Sequence, residues 1–179
     1  MKRACISLAI AASILTFNTA AGAGTPVLGF EIGVSTVDQV AKDLAKVTSV
    51  SDSGTNKWSG GPMLKTDGSS YKIDGLQDVL YIFDEQKKLT GVIMTLNKSR
   101  FDSIHQFLSS KYKVQNQQRP FVGNQFARFK TTDAIVEVDA PHMSFEMEVR
   151  YLRNDLLQKF KNQSQAEANS KRKSEASKF

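Results

Sequence analysis

Residues 78–96 read DVLYIFDEQKKLTGVIMTL and predict a β-hairpin. The segments 78–83 and 89–96 are rich in β-branched and aromatic residues, and the polar run DEQKK separates them. Both segments are apolar at consecutive positions, which is typical of strands covered on both faces. The hairpin is therefore expected near the centre of a sheet.

Further strands are expected on either side of this hairpin. A first strand is predicted at 27–32, and a later meander at 125–130, 134–140 and 144–151. The last two segments alternate, so that Ala134, Val136, Val138 and Ala140 share one face, as do Phe145, Met147, Val149 and Tyr151. This alternation indicates a sheet with one face packed against the core and the other face exposed to solvent.

Two segments with helical periodicity occur 64 residues apart. Residues 35–50 read STVDQVAKDLAKVTSV, and residues 99–114 read SRFDSIHQFLSSKYKV. Their apolar spacing predicts amphipathic helices over 35–46 and 99–112. Each segment begins S-x-x-D, in which Ser35 and Ser99 are expected to cap the helices. The likeness indicates either an internal repeat or a chance similarity between two amphipathic helices.

The remaining segments complete an α+β fold class. Residues 51–75 are dense in Gly, Ser and Asp and are either a long loop or a loop that contains strands. A third helix is predicted from near Leu152, burying Leu156, Leu157 and Phe160. We expect an antiparallel sheet with two or three helices packed on one face, and the similar helical segments allow two βα-meander repeats. A single domain spans residues 24–161. Residues 162–179 form a polar basic tail, either disordered or a solvent-exposed helix.

The first 23 residues have the layout of a secretory signal peptide. Lys2 and Arg3 precede an apolar run over residues 4–17, and Ala21-Gly22-Ala23 provides a cleavage site. This predicts a periplasmic protein, with secretion beyond the periplasm left open. The only cysteine, Cys5, lies within this leader, so the mature chain has no thiol for a disulfide or a metal. No cofactor and no metal ion are expected.

The net charge of +6 is confined to the ends of the chain. The whole chain has 24 basic and 18 acidic residues. Residues 1–23 hold 2 of the basic residues, and residues 159–179 hold 6 basic and 2 acidic residues, which leaves 16 of each sign in residues 24–158. A neutral body argues against nucleic acid as the partner. No apolar stretch after the leader approaches the length of a membrane span, so the mature chain is expected to have none.

The order of the elements carries a family resemblance. The segments GFEIGVSTVDQVAKDL and VLYIFDEQKKLTGV are followed by a helix ending in KY and a meander ending in EVRY. In this order the chain resembles small exported bacterial α+β domains of the β-lactamase-inhibitor-protein-like type. The resemblance covers residues 27–152 and lies in element order only, so no functional position is carried over. It implies a binding domain rather than a catalyst.

Trp58 is the leading candidate for a binding residue. It is the only tryptophan, and it lies in the Gly-rich segment 51–75 together with Met63 and Tyr71, which are expected to join it in an apolar patch. The alternative is that Trp58 folds back as a lid over the end of the core. The tail residues Lys171, Arg172 and Lys173 are a second candidate contact, for an anionic surface or an acidic protein.

The histidines and carboxylates support a weaker enzymatic hypothesis. His142 follows Asp139 closely and precedes Glu146, an arrangement that a small hydrolase or metal-dependent enzyme could use. The competing interpretation is a cross-strand charge ladder, in which these and neighbouring carboxylates pair with basic residues on the same face: Glu137, Asp139, Glu146 and Glu148 with Arg128, Lys130 and Arg150. His105 is expected at the edge of the core with a hydrogen-bond partner.

These observations favour an exported periplasmic, non-enzymatic binding or accessory protein that contacts an envelope protein. One alternative is an inhibitor or immunity-type protein that blocks a partner enzyme. Another is a small hydrolase or metal-dependent enzyme centred on His142. A purely structural envelope protein that uses its tail as the contact is a further possibility.

Overall fold

The computed structural model describes residues 24–176, so the predicted signal peptide lies outside the described residues. The described chain contains ten strands and three helices: β1 (Pro26–Val27), β2 (Phe30–Glu31), α1 (Val37–Leu44), β3 (Val50–Thr55), β4 (Gly60–Asp67), β5 (Leu76–Asp84), β6 (Leu89–Asn97), α2 (Phe101–Lys111), β7 (Lys113–Gln118), β8 (Gln125–Lys130), β9 (Ala134–Ala140), β10 (Glu146–Arg153) and α3 (Asn154–Ala176). Short 3-10 turns cover Ser69–Tyr71 and Lys98–Arg100.

Eight of the strands form one antiparallel sheet in the order β3-β4-β5-β6-β10-β9-β8-β7. The predicted hairpin forms β5 and β6, and it lies inside the sheet as expected. At the centre, β6 pairs with β10 from Asn97 opposite Glu146 to Gly91 opposite Leu152. Strands β1 and β2 form a separate two-stranded ribbon.

The fold consists of two halves built to one plan. In each half a helix is followed by four strands that lie side by side in chain order. Helix α2 begins 64 residues after α1, at the spacing of the sequence likeness. The last strands of the two halves, β6 and β10, meet in the middle of the sheet. The architecture therefore agrees with the prediction of two repeats, each a helix followed by a meander of strands.

The main core lies between one face of the sheet, called here the inner face, and helices α1 and α2. Val40 of α1 and Leu108 of α2 are buried against inner-face residues such as Tyr81 and Phe129. Phe30 of β2 packs edge-on against Tyr81, with ring centroids 5.8 Å apart, so the β1–β2 ribbon also covers this core. Each large apolar side chain buried here contributes about 1.5–3 kcal/mol.

Helix α3 lies on the opposite face, called here the outer face. Its Leu156 is buried above Gly91 of β6, where an added Cβ would lie 3.3 Å from Cδ2 of Leu156 and of Leu152. The absence of a side chain at residue 91 thus lets the helix approach the sheet. The predicted α+β fold class is confirmed, with two helices sharing one face.

Several local predictions were wrong. Ser35 does not cap α1, because its Oγ accepts a hydrogen bond from the Glu31 N–H at 3.0 Å, and Thr36 is the N-cap instead. Ser99 lies in the 3-10 turn before α2, whose N-cap is Arg100. For residues 51–75 the second of the two alternatives is correct, because the segment contains most of strands β3 and β4, joined by a turn over 56–59. Strand β7 was not predicted, since its six residues are mostly polar.

An ionic cluster lies at the end of the sheet where α3 begins. Arg153 pairs with Asp84 at 2.7 Å and with Asp155 at 2.6 Å. Asp84 is buried, and its second oxygen accepts from the Lys88 backbone N–H at 2.8 Å, so the cluster joins the β5–β6 turn to the end of β10. The hydrogen bonds from Arg153 lower the pKa of Asp155 below its ordinary value.

We expect Gly91→Val to reduce the free energy of unfolding by about 1–3 kcal/mol, because the added methyl groups overlap Leu152 and Leu156. Gly91→Ala is the matched control and should cost less, since the tight contacts of one methyl group, at 3.3 Å, are with flexible side-chain ends. Urea denaturation of the three proteins measures the difference. Equal stability for all three would contradict the seating of α3 on β6.

The Arg153 cluster predicts a pH dependence of stability. Because the folded pKa of Asp155 is below its unfolded value, its stabilisation is complete above the unfolded value of about 3.8 and is lost as the pH falls through the folded pKa. Asp155→Asn should therefore destabilise at neutral pH and lose less stability than wild type on acidification. Urea denaturation between about pH 6 and pH 2.5 tests this, and parallel curves would contradict it.

Candidate functional site

Two loops of the second half meet at one end of the sheet. Residues 119–124 join β7 to β8, and residues 141–145 join β9 to β10. The loops are neighbours because Gln125 pairs with Ala140, and the His142 backbone N–H donates to Asn124 Oδ1 at 2.6 Å. Together they present four apolar side chains, which we call the apolar tip: Phe121, Val122, Met143 and Phe145.

The apolar tip contains the four most exposed large apolar side chains of residues 24–176. Phe121 is 104% exposed, Phe145 90%, Met143 89% and Val122 69%. A single exposed apolar residue needs no explanation, but a group of them on adjoining loops is typical of an interaction site. The sequence prediction that Phe145 shares the packed face of its strand was wrong, because β10 begins only at Glu146.

Both loops are anchored to the start of α2. The Lys98 backbone N–H donates to the Phe145 carbonyl at 2.8 Å, and Lys98 Nζ donates to the Pro141 carbonyl at 2.5 Å. On the other loop, Arg119 pairs with Asp102 at 2.6 Å. Loops held in this way lose little conformational entropy on binding.

Met143 has a left-handed backbone, with φ of 62°. This conformation costs a non-glycine residue about 1–2 kcal/mol, and glycine would adopt it more easily. The methionine side chain meets almost no protein atoms that would repay this cost, since it is exposed. Its presence there is consistent with a contact made outside the chain.

Most of the carboxylates near His142 are paired with arginine side chains. Arg128 pairs with Glu137 at 2.6 Å, and Arg150 pairs with Glu148 at 2.6 Å and with Asp139 at 3.3 Å. These pairs lie on the outer face and confirm the charge ladder for Glu137, Asp139 and Glu148, whereas no ion pair of Glu146 or Lys130 is found in residues 24–176. Within the described part of the chain, no three His, Cys, Asp or Glu side chains are grouped to hold a metal ion.

His105 lies at the edge of the core, as predicted. Its ring stacks on Phe101 at a centroid distance of 6.0 Å and meets Phe129 at 5.7 Å. Its Nε2 lies 2.8 Å from Gln117 Oε1 on β7. The His105 side chain therefore links α2 to the edge strand β7 by a hydrogen bond and to β8 by a ring contact.

The proposed patch of Trp58, Met63 and Tyr71 is divided between the two sides of the sheet. Trp58 is half-buried in the β3–β4 turn, where it packs edge-on against Phe160 of α3 at 5.1 Å. Met63 lies near that turn, since its Sδ accepts from Asn56 Nδ2 at 3.5 Å. Tyr71 instead packs against the inner-face core, where its hydroxyl bonds to Tyr81 at 2.9 Å. Trp58 and Met63 thus lie near the same turn, and Tyr71 does not join them.

Helix α3 extends through Ala176 and includes most of the predicted tail. Lys171, Arg172 and Lys173 lie on its exposed last turns, where positive charge is favourable to the helix dipole. Leu156 is buried as expected, whereas Phe160 is 43% exposed. Among residues 24–176, no helix has the length and apolar content that a membrane crossing requires.

No protein-family model matches the chain, and no curated protein or solved structure is significantly similar to it.

We expect replacement of the tip phenylalanines to leave the fold unchanged. Phe121→Ser and Phe145→Ser should each alter the free energy of unfolding by less than about 0.5 kcal/mol, because neither ring is packed. Phe129→Ser, in the core, should cost more than about 3 kcal/mol. Chemical denaturation distinguishes these outcomes, and a large loss in the tip variants would show that the loops fold back on the body.

Proposed function

We propose that the protein is an exported, non-enzymatic binding protein of the bacterial envelope that docks on another envelope protein through the apolar tip. The observation that supports this most directly is the grouping of the four most exposed apolar side chains on two anchored, adjoining loops. The leader-like residues 1–23 support export. The resemblance in element order to exported inhibitor-type domains also favours a binding role.

The shape of the tip favours a concave partner. Aromatic residues and methionine are enriched at protein interfaces, and fully exposed rings gain most when a pocket encloses them. The charges beside the tip are nearly balanced. Arg119 is paired with Asp102, and Lys98 follows Asn97, the residue that pairs with Glu146 across strands β6 and β10. The partner is therefore a protein with an apolar cleft rather than a strongly charged polymer.

An inhibitory role is the second candidate. It is favoured by the protrusion of Phe121, which stands clear of the rest of the chain and is suited to entering a cleft. An inhibitor of this type would block the active-site cleft of a partner enzyme without doing chemistry itself.

Affinity capture followed by calorimetry tests the proposal. The purified protein is used to isolate partners from envelope extract, and the dissociation constant is then measured with the purified partner. The double variant Phe121→Ser and Phe145→Ser should bind at least about 30-fold more weakly. Phe107→Ser is the matched control, since Phe107 is an exposed phenylalanine of α2 outside the tip.

The contrary outcomes are distinct. Equal affinity of the double variant and wild type would remove the tip from the interface. Tip-dependent sedimentation with vesicles of anionic phospholipid, without any protein partner, would identify the tip as a lipid anchor and overturn the proposal. If the partner is an enzyme, loss of its activity on binding of wild type but not of the double variant supports inhibition.

A further inference from the structure

Helix α3 and the outer face form a partly open cavity of about 310 Å³. Its walls come from the β3–β4 turn, from strands β5, β6 and β10, and from α3, and they are mainly apolar: Trp58, Ile82, Ile93, Leu152, Leu157 and Phe160. The volume is at the lower end of the range for small-molecule sites.

The aromatic wall of this cavity is also its boundary with solvent. Trp58 and Phe160 meet edge-on at 78°, and both remain partly exposed. Trp58 is positioned by Asn56, whose Oδ1 accepts from the backbone N–H groups of Trp58 and Ser59 at 3.0 Å each. The wall therefore has one side on the β3–β4 turn, held by Asn56, and the other side on α3.

Glu137 supplies a polar group to the cavity, although it is only 7% exposed. Arg128 Nε and Nη2 both approach Glu137 Oε1, at 2.8 Å and 2.6 Å. None of the hydrogen bonds found in residues 24–176 reaches Oε2. Oε2 is not among the fully buried atoms, so it is available to accept a charge-assisted hydrogen bond from a ligand N–H.

The charges around the cavity favour a cation. Arg150 lines the cavity as well, but Asp139 and Glu148 both hold it. The three carboxylates Asp139, Glu148 and Glu137 and the two guanidinium groups of Arg128 and Arg150 together carry a net charge of −1. Lys57, which lies over the Trp58 ring at 4.7 Å, is paired with Glu167 of α3 at 3.9 Å.

We propose that this cavity binds a small organic amine. The ammonium group would meet Glu137 Oε2, and an apolar ring or short chain would lie against Trp58 and Phe160. At about 30 Å³ for each water-sized group, the space accepts a ligand of roughly ten non-hydrogen atoms. Such a site is independent of the apolar tip, which lies at the other end of the sheet.

Trp58 is the only tryptophan of the chain, so its fluorescence reports directly on the cavity wall. Titration of the purified protein with phenethylamine should give a saturable change in Trp58 emission. The matched probe 3-phenylpropionate has the same ring with a carboxylate in place of the amine, and it should bind at least about tenfold more weakly. Calorimetry with both probes gives the affinities without relying on fluorescence.

Two variants and a control locate the site. Glu137→Gln keeps the side-chain shape and should weaken phenethylamine at least about tenfold. Glu146→Gln removes a carboxylate of β10 that neither lines the cavity nor pairs with Arg150, and it should change the affinity by less than about twofold. Phe160→Ala removes part of the aromatic wall and should weaken both probes. Circular dichroism melts establish that each variant is folded.

Three results would overturn the proposal: no saturation with phenethylamine at about 10 mM, equal affinity for the amine and the acid, or wild-type affinity in both Glu137→Gln and Phe160→Ala. If Glu137→Gln fails to fold because Arg128 loses its partner, the comparison of the two probes and the Phe160→Ala variant still decides the question.

Discussion

The pairing of β6 with β10 is the interaction on which the rest of the structure depends. It is the only ladder of the main sheet that joins the two halves of the described chain. Without it, each half would be a helix on a four-stranded meander with an unpaired inner edge, which is prone to misassociation. The same two strands carry much of the packing, because α1 and α2 cover their inner face and Leu156 of α3 covers Gly91 on the outer face.

The shared plan of the two halves makes the difference between their loops informative. In the first half, Phe160 of α3 packs on Trp58 in the β3–β4 turn. Arg153 at the end of β10 pairs with Asp84 at the start of the β5–β6 turn. The corresponding loops of the second half expose Phe121 and Phe145. Helix α3 follows only the second half and lies over one end of the sheet. One end is thus closed over a cavity, while the other presents the apolar tip.

Strong periodicity made much of the fold predictable. The hairpin around residues 84–88, both amphipathic helices and the meander follow from local pattern. Strand β7 reads KVQNQQ, and this exposed edge strand buries no face that could leave an apolar period. The site was less predictable, because the two tip loops are brought together by the pairing of β8 with β9, which local pattern does not specify. Local pattern likewise did not show that Trp58 would pack against α3 on the outer face while Tyr71 packs against the inner-face core.

Amide hydrogen exchange measured by NMR tests the two-half architecture most directly. Amides in the β6–β10 ladder should exchange slowest, with opening free energies close to that of global unfolding, and amides of the edge strands β3 and β7 should exchange faster. Rapid exchange in the β6–β10 ladder, with protection retained in the β4–β5 and β8–β9 ladders, would contradict the account, because it would show that the two halves are stable separately.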